Sequence, residues 1–162
     1  MAKEIERKFL VADRSWRENA RDAAKLRQAY IASGPDRSVR VRITAKGKAR
    51  LTIKIGGSGL VRDEFEYDIP VDEAEEMMAL AVGNVIEKTR HKVKFGGFVW
   101  EIDVFEGAYK GLVMAEVEMS STKDDPELPA WLGREVTGDA RYSNHYLAVE
   151  SGPAELLHAL SL

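Results

Sequence analysis

Polar and apolar side chains alternate along most of this chain with a period of two residues. In segment 38–45, Val39, Val41 and Ile43 fall on one face, and Arg40 and Arg42 fall on the other. Successive side chains of a β-strand point to opposite faces, so the pattern predicts a strand with one apolar and one charged face. The same reasoning predicts further strands at 4–11, 26–32, 50–55, 63–69, 85–95, 98–105 and 112–119.

Turn and helix signals lie between these strands. Turns are predicted at Lys46-Gly47-Lys48, at 56–59 and at Gly96-Gly97. Helical patterns and caps predict three to five helices outside the sheet, in 13–25, 72–81, 129–132, 139–147 and after the break at 151–153. Strands joined mostly by tight turns, with helices apart from them, predict a single α+β domain over residues 1–162, built on an antiparallel sheet.

The charged strand faces leave two arrangements open. An open sheet would expose its charged face to water, with ion pairs between neighbouring strands, and helices would cover its apolar face. A closed sheet would place the charged faces in its interior and pack the apolar faces outward against the helices. The repetition of a charged face over seven or so strands favours the closed arrangement.

The composition excludes several kinds of protein and of site. Lysine and arginine number 24 against 27 acidic residues, and a net charge of −3 argues against a nucleic-acid or membrane binder. The absence of cysteine excludes disulfides, thiolate nucleophiles and zinc–thiolate sites. His91, His145 and His158 are not spaced as a zinc-site pair. Because neither a signal-peptide pattern nor an apolar run of roughly 20 residues is present, we expect a cytoplasmic protein.

The charged faces supply both acids and bases. Charges confined to an interior are costly unless they are paired or bind ions, so a charged interior predicts a ligand site. Carboxylates suit one or two divalent cations and arginine forks suit phosphate oxygens, which together predict a site for a metal-chelated polyphosphate. The candidate acids are Glu4, Glu6, Glu64, Glu66, Asp103, Glu116 and Glu118. The candidate bases are Lys8, Arg40, Arg42, Arg50, Lys54, Lys88 and Arg90, with Lys92 as a further candidate.

The first strand carries both kinds of residue on one face. Glu4 and Glu6 lie two residues apart and can share one hard cation. Lys8 follows on the same face, where it can hold an anion that the cation also binds. On this strand alone, a solvated charged face would be the simpler explanation, so the interpretation depends on the other strands.

These residues resemble a known family. Glu4-Ile5-Glu6-Arg7-Lys8 is similar to the ExExK signature of CYTH domains, also called triphosphate tunnel metalloenzymes. The resemblance covers almost the whole chain, because further motifs follow in the order that the family shows. These are Arg40-Val41-Arg42, Thr52-Ile53-Lys54, Glu64-Phe65-Glu66, Lys88-Thr89-Arg90, Glu101-Ile102-Asp103, Glu116-Val117-Glu118 and Arg141-Tyr142-Ser143-Asn144.

The resemblance implies a closed eight-stranded antiparallel β tunnel that holds a linear triphosphate and cleaves it with Mg²⁺ or Mn²⁺. It assigns the metal to Glu4, Glu6 and Glu118, with Glu116 as a helper. It assigns phosphate binding to Lys8, Arg40, Arg42, Lys54, Lys88 and Arg90. We add Arg50 to the predicted phosphate-binding residues because it lies on the charged face of its strand. Catalytic roles, such as placing a second metal or the attacking water, fall to Glu64, Glu66 and Asp103, together with Lys8.

The expected activity is therefore hydrolysis of inorganic triphosphate by a metal-activated water. No Ser-His-Asp or Cys-His arrangement suggests a covalent intermediate. The alternatives are an adenylate cyclase, a thiamine or nucleoside triphosphatase, and a non-catalytic polyphosphate-binding module. An aromatic clamp near Trp16 or Trp131 would favour thiamine triphosphate. The expected partner is a small anionic triphosphate, with neither nucleic acid nor membrane, and the chain is expected to be a monomer or homodimer.

Overall fold

The structure, a computed structural model, describes residues 2–56, 61–144 and 146–150, and its main element is a nine-stranded antiparallel sheet. The predicted strands are all present, several of them longer than the sequence pattern indicates. The strands are β1 (Ala2–Val11), β2 (Arg21–Ser33), β3 (Arg37–Thr44), β4 (Ala49–Ile55), β5 (Val61–Ile69), β6 (Val82–Phe95), β7 (Phe98–Phe105), β8 (Val113–Glu118) and β9 (Leu132–Glu135).

Eight of these strands form a closed barrel. Their order around it is β1-β5-β4-β3-β2-β6-β7-β8, after which β8 pairs again with β1. The pairing of β1 with β5 closes the ring, in the register Ala2↔Glu64 to Ile5↔Val61. Closure leaves the barrel strands without a long unpaired edge. The predicted closed eight-stranded antiparallel barrel is confirmed, with β9 as one extra strand beside β1.

The turn between β6 and β7 forms where the sequence predicts it. Gly96 and Gly97 are the only residues between the two strands, with φ angles of 60° and 80°. A two-residue hairpin turn with positive φ at both positions matches the twist of the flanking strands, and glycine adopts it without strain. The predicted turn at 56–59 falls mostly outside the described residues.

Helical structure is scarcer than the sequence predicts. In the described part of the chain, one α-helix is present, α1 (Val71–Ala79), which agrees with the helix predicted at 72–81. The remaining helical segments are short: three 3₁₀ turns at Ser15–Asn19, Gly107–Tyr109 and Ala140–Tyr142, and a π turn at Tyr146–Glu150. None of the described helices is long and apolar enough to cross a membrane.

The helix predicted over 13–25 is wrong for most of its length. Only Ser15–Asn19 is helical, and Arg21 already begins strand β2. The composition of this segment suits a helix, but Arg21 pairs with Lys92 of β6, so sheet pairing overrides local propensity. Trp16 remains buried in the short helical turn and contacts the ring of His91.

Two predictions in the last third of the chain also need correction. The helix predicted near 129–132 is absent, because Leu132 begins β9 and pairs with Val11 of β1. The helix predicted over 139–147 is divided into a 3₁₀ turn, which Asp139 caps by accepting a hydrogen bond from the Arg141 N–H, and the later π turn. The final predicted helix, after residue 150, lies outside the described residues.

The apolar strand faces pack outward, as the closed arrangement requires. Helix α1 buries Ala74 and Met78 against β2, β3 and β4. A second cluster covers β1, β6, β7 and β8 and contains three tryptophans. This tryptophan cluster consists of Phe9, Trp16, Val93, Trp100, Ile102, Ala115, Val117 and Trp131. Each large apolar side chain that is fully buried contributes about 1.5–3 kcal/mol, so the outer face supplies much of the stability.

A third apolar cluster fills one end of the barrel. Its barrel members, Tyr30, Ile86, Phe105 and Met114, continue the inward-facing alternation of their strands beyond the charged positions. Tyr142 and Leu147 from the C-terminal turns pack against them. Gly83 has to be glycine for this approach, because a Cβ there would lie 2.1 Å from the Ala148 carbonyl oxygen.

Candidate active site in the barrel interior

The charged strand faces meet inside the barrel. Lys54 on β4 reaches Glu4 on β1 with an Nζ–Oε1 distance of 3.0 Å, although β5 lies between the two strands. Arg90 on β6 likewise comes within 3.8 Å of Glu116 on β8, past β7. Contacts that skip a strand cross the lumen, so these four residues face a common interior.

One charged cluster is centred on Glu4. Its Oε1 accepts hydrogen bonds from Lys54 Nζ at 3.0 Å and from Arg62 Nη2 at 3.3 Å. The same Arg62 nitrogen lies 3.4 Å from Glu6 Oε1, and Lys54 Nζ lies 3.6 Å from Glu64 Oε2. Two bases thus bridge three carboxylates that come from β1 and β5.

A second charged cluster is centred on Asp103. Its Oδ2 accepts a hydrogen bond from Lys88 Nζ at 2.7 Å, and Arg90 donates to both of its oxygens at 2.7 and 2.8 Å. Arg90 also approaches Glu116, whose other oxygen lies 3.5 Å from Lys8 Nζ. Lys88 and Asp103 are almost fully buried, at 1% and 2% exposure.

The pKa values of the second cluster show which of its groups stay charged. Although burial opposes ionisation, the charges of Lys8 and Arg90 lower the pKa of Glu116 to about 2. Burial is likewise outweighed at Asp103, where Lys88 and Arg90 hold the carboxyl pKa well below its ordinary range. Burial and the charge of Arg90 lower the pKa of Lys88 to about 7, against the attraction of Asp103. Both carboxylates are therefore ionised at neutral pH.

Arg40 and Arg42 differ from the other interior bases. Within the described part of the chain, neither has a carboxylate partner. Arg42 is held by the neutral Gln28, and the buried Nε of Arg40 has no hydrogen-bond partner among the described residues. Burial and the charges of Arg40 and Arg90 lower the pKa of Arg42 to about 9. Guanidinium donors without protein acceptors are suited to an anionic ligand.

Carboxylates are crowded where β1 meets its neighbours. Burial and the charges of Glu116 and Glu4 raise the pKa of Glu6 to about 7. Burial and hydrogen bonds with Glu4 and Glu66 raise the pKa of Glu64 to about 9. In both cases burial is the leading cause and neighbouring carboxyl groups add to it, so Glu6 and Glu64 can retain protons near neutral pH.

The same crowding bears on the predicted metal site. Carboxylate oxygens are the ligands that Mg²⁺ and similar hard cations prefer, and Glu6 faces Glu118 directly in the β1–β8 register. In the arrangement seen here, Glu4 and Glu6 bind Arg62, and no three acidic or histidine side chains of the described residues are grouped closely enough to hold a metal. The donor chemistry fits a divalent cation, whose charge would favour the ionised form of Glu6.

The interior opens through a cavity of about 490 Å³. Arg42 and Arg90 line its inner part, and Arg50 and Lys92 line its outer part. The Arg50 side chain is 54% exposed and pairs with Glu66 and Asp68. Arg50 and Lys92 can therefore meet a ligand only at the mouth of the barrel, whereas the other predicted phosphate-binding residues lie deeper.

Most of the predicted site residues share one lumen, but two of the acids lie nearer solvent. Glu118 is exposed at the end of β8, and Glu66 lies at the mouth beside Arg50. The residues that the structure brings together inside are Glu4, Glu6, Lys8, Arg40, Arg42, Lys54, Glu64, Lys88, Arg90, Asp103 and Glu116.

Sequence reasoning missed two interior residues, Arg62 and Gln28. Arg62 lies two positions before Glu64, on the same face of β5, so the alternation extended by one step would have found it. Gln28 is flanked on its face of β2 by Leu26 and Tyr30, so no charged pattern marks it.

The aromatic residues considered for a thiamine clamp lie elsewhere. Trp16 packs against His91, and Trp131 packs edge-on against Trp100, both in the tryptophan cluster on the outer face. Neither ring can therefore reach a ligand in the lumen. His145 lies outside the described residues.

Comparisons with known proteins agree with this geometry. The family model described as the CYTH domain matches residues 2–146. A protein of Acetivibrio thermocellus named inorganic triphosphatase is 46% identical over 148 residues, which cover 91% of this chain and 94% of the relative. One of Nitrosomonas europaea, also named inorganic triphosphatase, is 39% identical over 150 residues, covering 90% and 97%. The crystal structure of the inorganic triphosphatase NE1496 is similar with a TM-score of 0.64 and 34% identity, covering 94% of this chain and 98% of that one.

Proposed function

This chain belongs to the CYTH domain family, and we propose that it is a metal-dependent hydrolase of inorganic triphosphate. The two relatives above carry the name of that activity and match nearly the whole chain. The observation that carries the proposal is the pairing of two opposite features in one lumen. Among the described residues, no carboxylate binds the donors of Arg40 and Arg42, and Glu6 lies beside Glu4 and Glu116, whose charges add to burial in raising its pKa to about 7.

The basic side chains would bind the phosphate chain. Phosphoryl transfer depends mainly on alignment and on neutralising the charge of the phosphate oxygens. Lys8 can contribute because, although burial opposes its charge, Glu116 and Glu6 raise its pKa, so the ammonium group persists at neutral pH. The phosphate-binding set would be Lys8, Arg40, Arg42, Lys54, Lys88 and Arg90, with Arg50 at the mouth.

The acids of β1 and β8 would hold the cation, which we propose to be Mg²⁺ or Mn²⁺. The residues are Glu4, Glu6, Glu116 and Glu118. When bound, the cation supplies neutralising charge and lowers the pKa of a coordinated water. Arg62 and Lys54 both bind Glu4 Oε1, so they would compete with a cation for this carboxylate. Both bases could also bind phosphate oxygens of the substrate.

The remaining acids divide into two roles. Both oxygens of Asp103 are occupied by Lys88 and Arg90, so Asp103 is expected to orient these two bases. Glu64 retains a proton at neutral pH and can exchange it with Glu66. We therefore assign Glu64 and Glu66, rather than Asp103, to handling the attacking water and its proton.

A substrate panel tests the proposal. Tripolyphosphate, pyrophosphate, ATP and thiamine triphosphate are each incubated with Mg²⁺ or Mn²⁺, and both phosphate and cyclic nucleotide are measured. We expect phosphate release to be fastest from tripolyphosphate. Cyclic AMP formation as the main reaction would favour a cyclase instead. Saturable binding of tripolyphosphate without any product would identify a binding module.

A further inference from the structure

Gln28 is a neutral side chain that lies fully buried among the interior charges. It is paired in register with Arg42 of β3 and is 0% exposed. Its Oε1 accepts hydrogen bonds from Arg42 Nε at 3.1 Å and from Arg42 Nη2 at 2.8 Å. The guanidinium has only donors, so the amide oxygen must face it, and this fixes the orientation of the amide. Within the described residues, the Nε2 of Gln28 has no hydrogen-bond partner.

The way Arg42 is held differs from the way the other interior bases are held. Lys54 and Arg62 each bind Glu4, and Lys88 and Arg90 each bind Asp103. A carboxylate partner fixes a base but also neutralises its charge. An amide oxygen that accepts two of its hydrogen bonds also orients the guanidinium, but it carries no charge that would neutralise it.

We propose that Gln28 is a positioning residue for the substrate, because it orients the Arg42 guanidinium without neutralising it. The inference rests on the proposed function and adds a residue to it. The Nε2–H, which has no partner among the described residues, lies on the same amide and is a further donor beside Arg42. A buried donor without a partner is unfavourable, and a phosphate oxygen of the substrate would satisfy it.

Two substitutions of Gln28 separate positioning from a purely structural role. Gln28→Glu keeps the shape, holds Arg42 by an ion pair and removes the amide N–H. Gln28→Met keeps the volume but leaves Arg42 unheld. Asn19→Asp is the matched control, because it makes the same amide-to-carboxylate change on the exposed helical turn outside the barrel.

We expect Gln28→Glu to raise KM for tripolyphosphate about tenfold or more, with kcat within about threefold and with a thermal midpoint no lower than that of the wild type. Gln28→Met should also raise KM, and Asn19→Asp should leave KM unchanged. A structural role would lower the thermal midpoint and leave KM alone. If Gln28→Glu is folded and its KM stays within about twofold of the wild type, the inference is overturned, even if Gln28→Met does not fold.

Binding measurements keep this inference distinct from the proposed activity. The Kd of tripolyphosphate is measured by calorimetry for the metal-free wild type and for Gln28→Glu. A wild type that binds tripolyphosphate but does not hydrolyse it after Mg²⁺ or Mn²⁺ is added would contradict the proposed activity, while a tenfold weaker Kd of the metal-free variant would still support the role of Gln28. A wild type that binds no tripolyphosphate with or without these cations would overturn both.

Discussion

The inner and outer faces of the barrel are made by the same strands and serve opposite purposes. On β7, Trp100 points outward and is fully buried between Phe9 and Trp131, whereas Asp103 points inward and binds two bases. The outer face gains free energy by removing apolar surface from water. Removing the charges of the inner face from water is unfavourable, and the attraction within buried ion pairs often does not offset this desolvation free energy. Stability therefore resides mainly outside, and we propose that ligand binding resides inside.

The largest expected effect is on stability and comes from the outer face. Trp100→Ala should reduce the free energy of unfolding by about 3–5 kcal/mol, since the cavity would replace a fully buried side chain. Chemical denaturation followed by circular dichroism measures the change. Leu80→Ala is the control, because Leu80 is 79% exposed and should change stability by less than about 0.5 kcal/mol. Equal losses in the two variants would contradict the assignment of stability to the outer face.

A change inside the barrel should instead lower activity strongly and change stability little. Glu6→Gln should lower the rate of phosphate release from tripolyphosphate by about a hundredfold or more, equivalent to ~2.7 kcal/mol. The unfolding midpoint should change little, because Glu6 already retains a proton near neutral pH.

The control for this variant is Glu135→Gln, the same change on the outer face, where Glu135 pairs with Arg7. We expect the control to keep its activity. Full activity in Glu6→Gln would show that this carboxylate does not serve the reaction.

A smaller effect is expected on metal affinity, and it tests whether Arg62 competes with a cation for the interior carboxylates. Arg62→Met should increase the affinity of the metal alone about tenfold, because Arg62 binds the Glu4 and Glu6 carboxylates that would hold the cation. Titration with Mn²⁺ in the absence of substrate, followed by electron paramagnetic resonance, measures the affinity. Arg14→Met removes the same charge from an exposed site outside the barrel and should show a much smaller change. Weaker Mn²⁺ binding in Arg62→Met would show that Arg62 does not compete with the cation for Glu4 and Glu6.

The smallest effect concerns an ion pair on the outer face. A hydrogen bond from Arg7 is the main reason that the pKa of Glu135 lies below its ordinary value of 4.5. A lowered folded-state pKa gives stability that is present above pH 4.5 and is lost as the pH falls through the folded-state value. Wild type should exceed Arg7→Met in unfolding free energy by ~0.5 kcal/mol at pH 7, since the pair is partly exposed, and this difference should shrink below pH 4.5. If the difference in unfolding free energy instead grew as the pH fell, the ion pair between Arg7 and Glu135 would not be its source.

The alternation of side chains predicted the inner and outer faces because burial follows the two-residue period of a strand. It could not predict which base meets which acid, since Lys54 reaches Glu4 only after the barrel closes. Arg62 was missed because the predicted strand begins at Asp63, whereas β5 begins at Val61. Gln28 was missed because a neutral amide leaves no charge signal.

The helix errors have a related cause. Local composition favours a helix over 13–25, but pairing between Arg21 and Lys92 is a long-range contact that local propensity cannot reveal. The predictions of a single domain over 1–162, of a cytoplasmic location and of a monomer or homodimer stay predictions, as do the individual roles of the site residues.

The central claim is that the charged lumen hydrolyses inorganic triphosphate with a bound divalent cation. The most direct test measures phosphate release from tripolyphosphate before chelation, after chelation of metal, and after Mg²⁺ or Mn²⁺ is added back. We expect release to stop on chelation and to return with either or both cations. Release that continues undiminished in the chelated protein, or that fails with every cation, would contradict it.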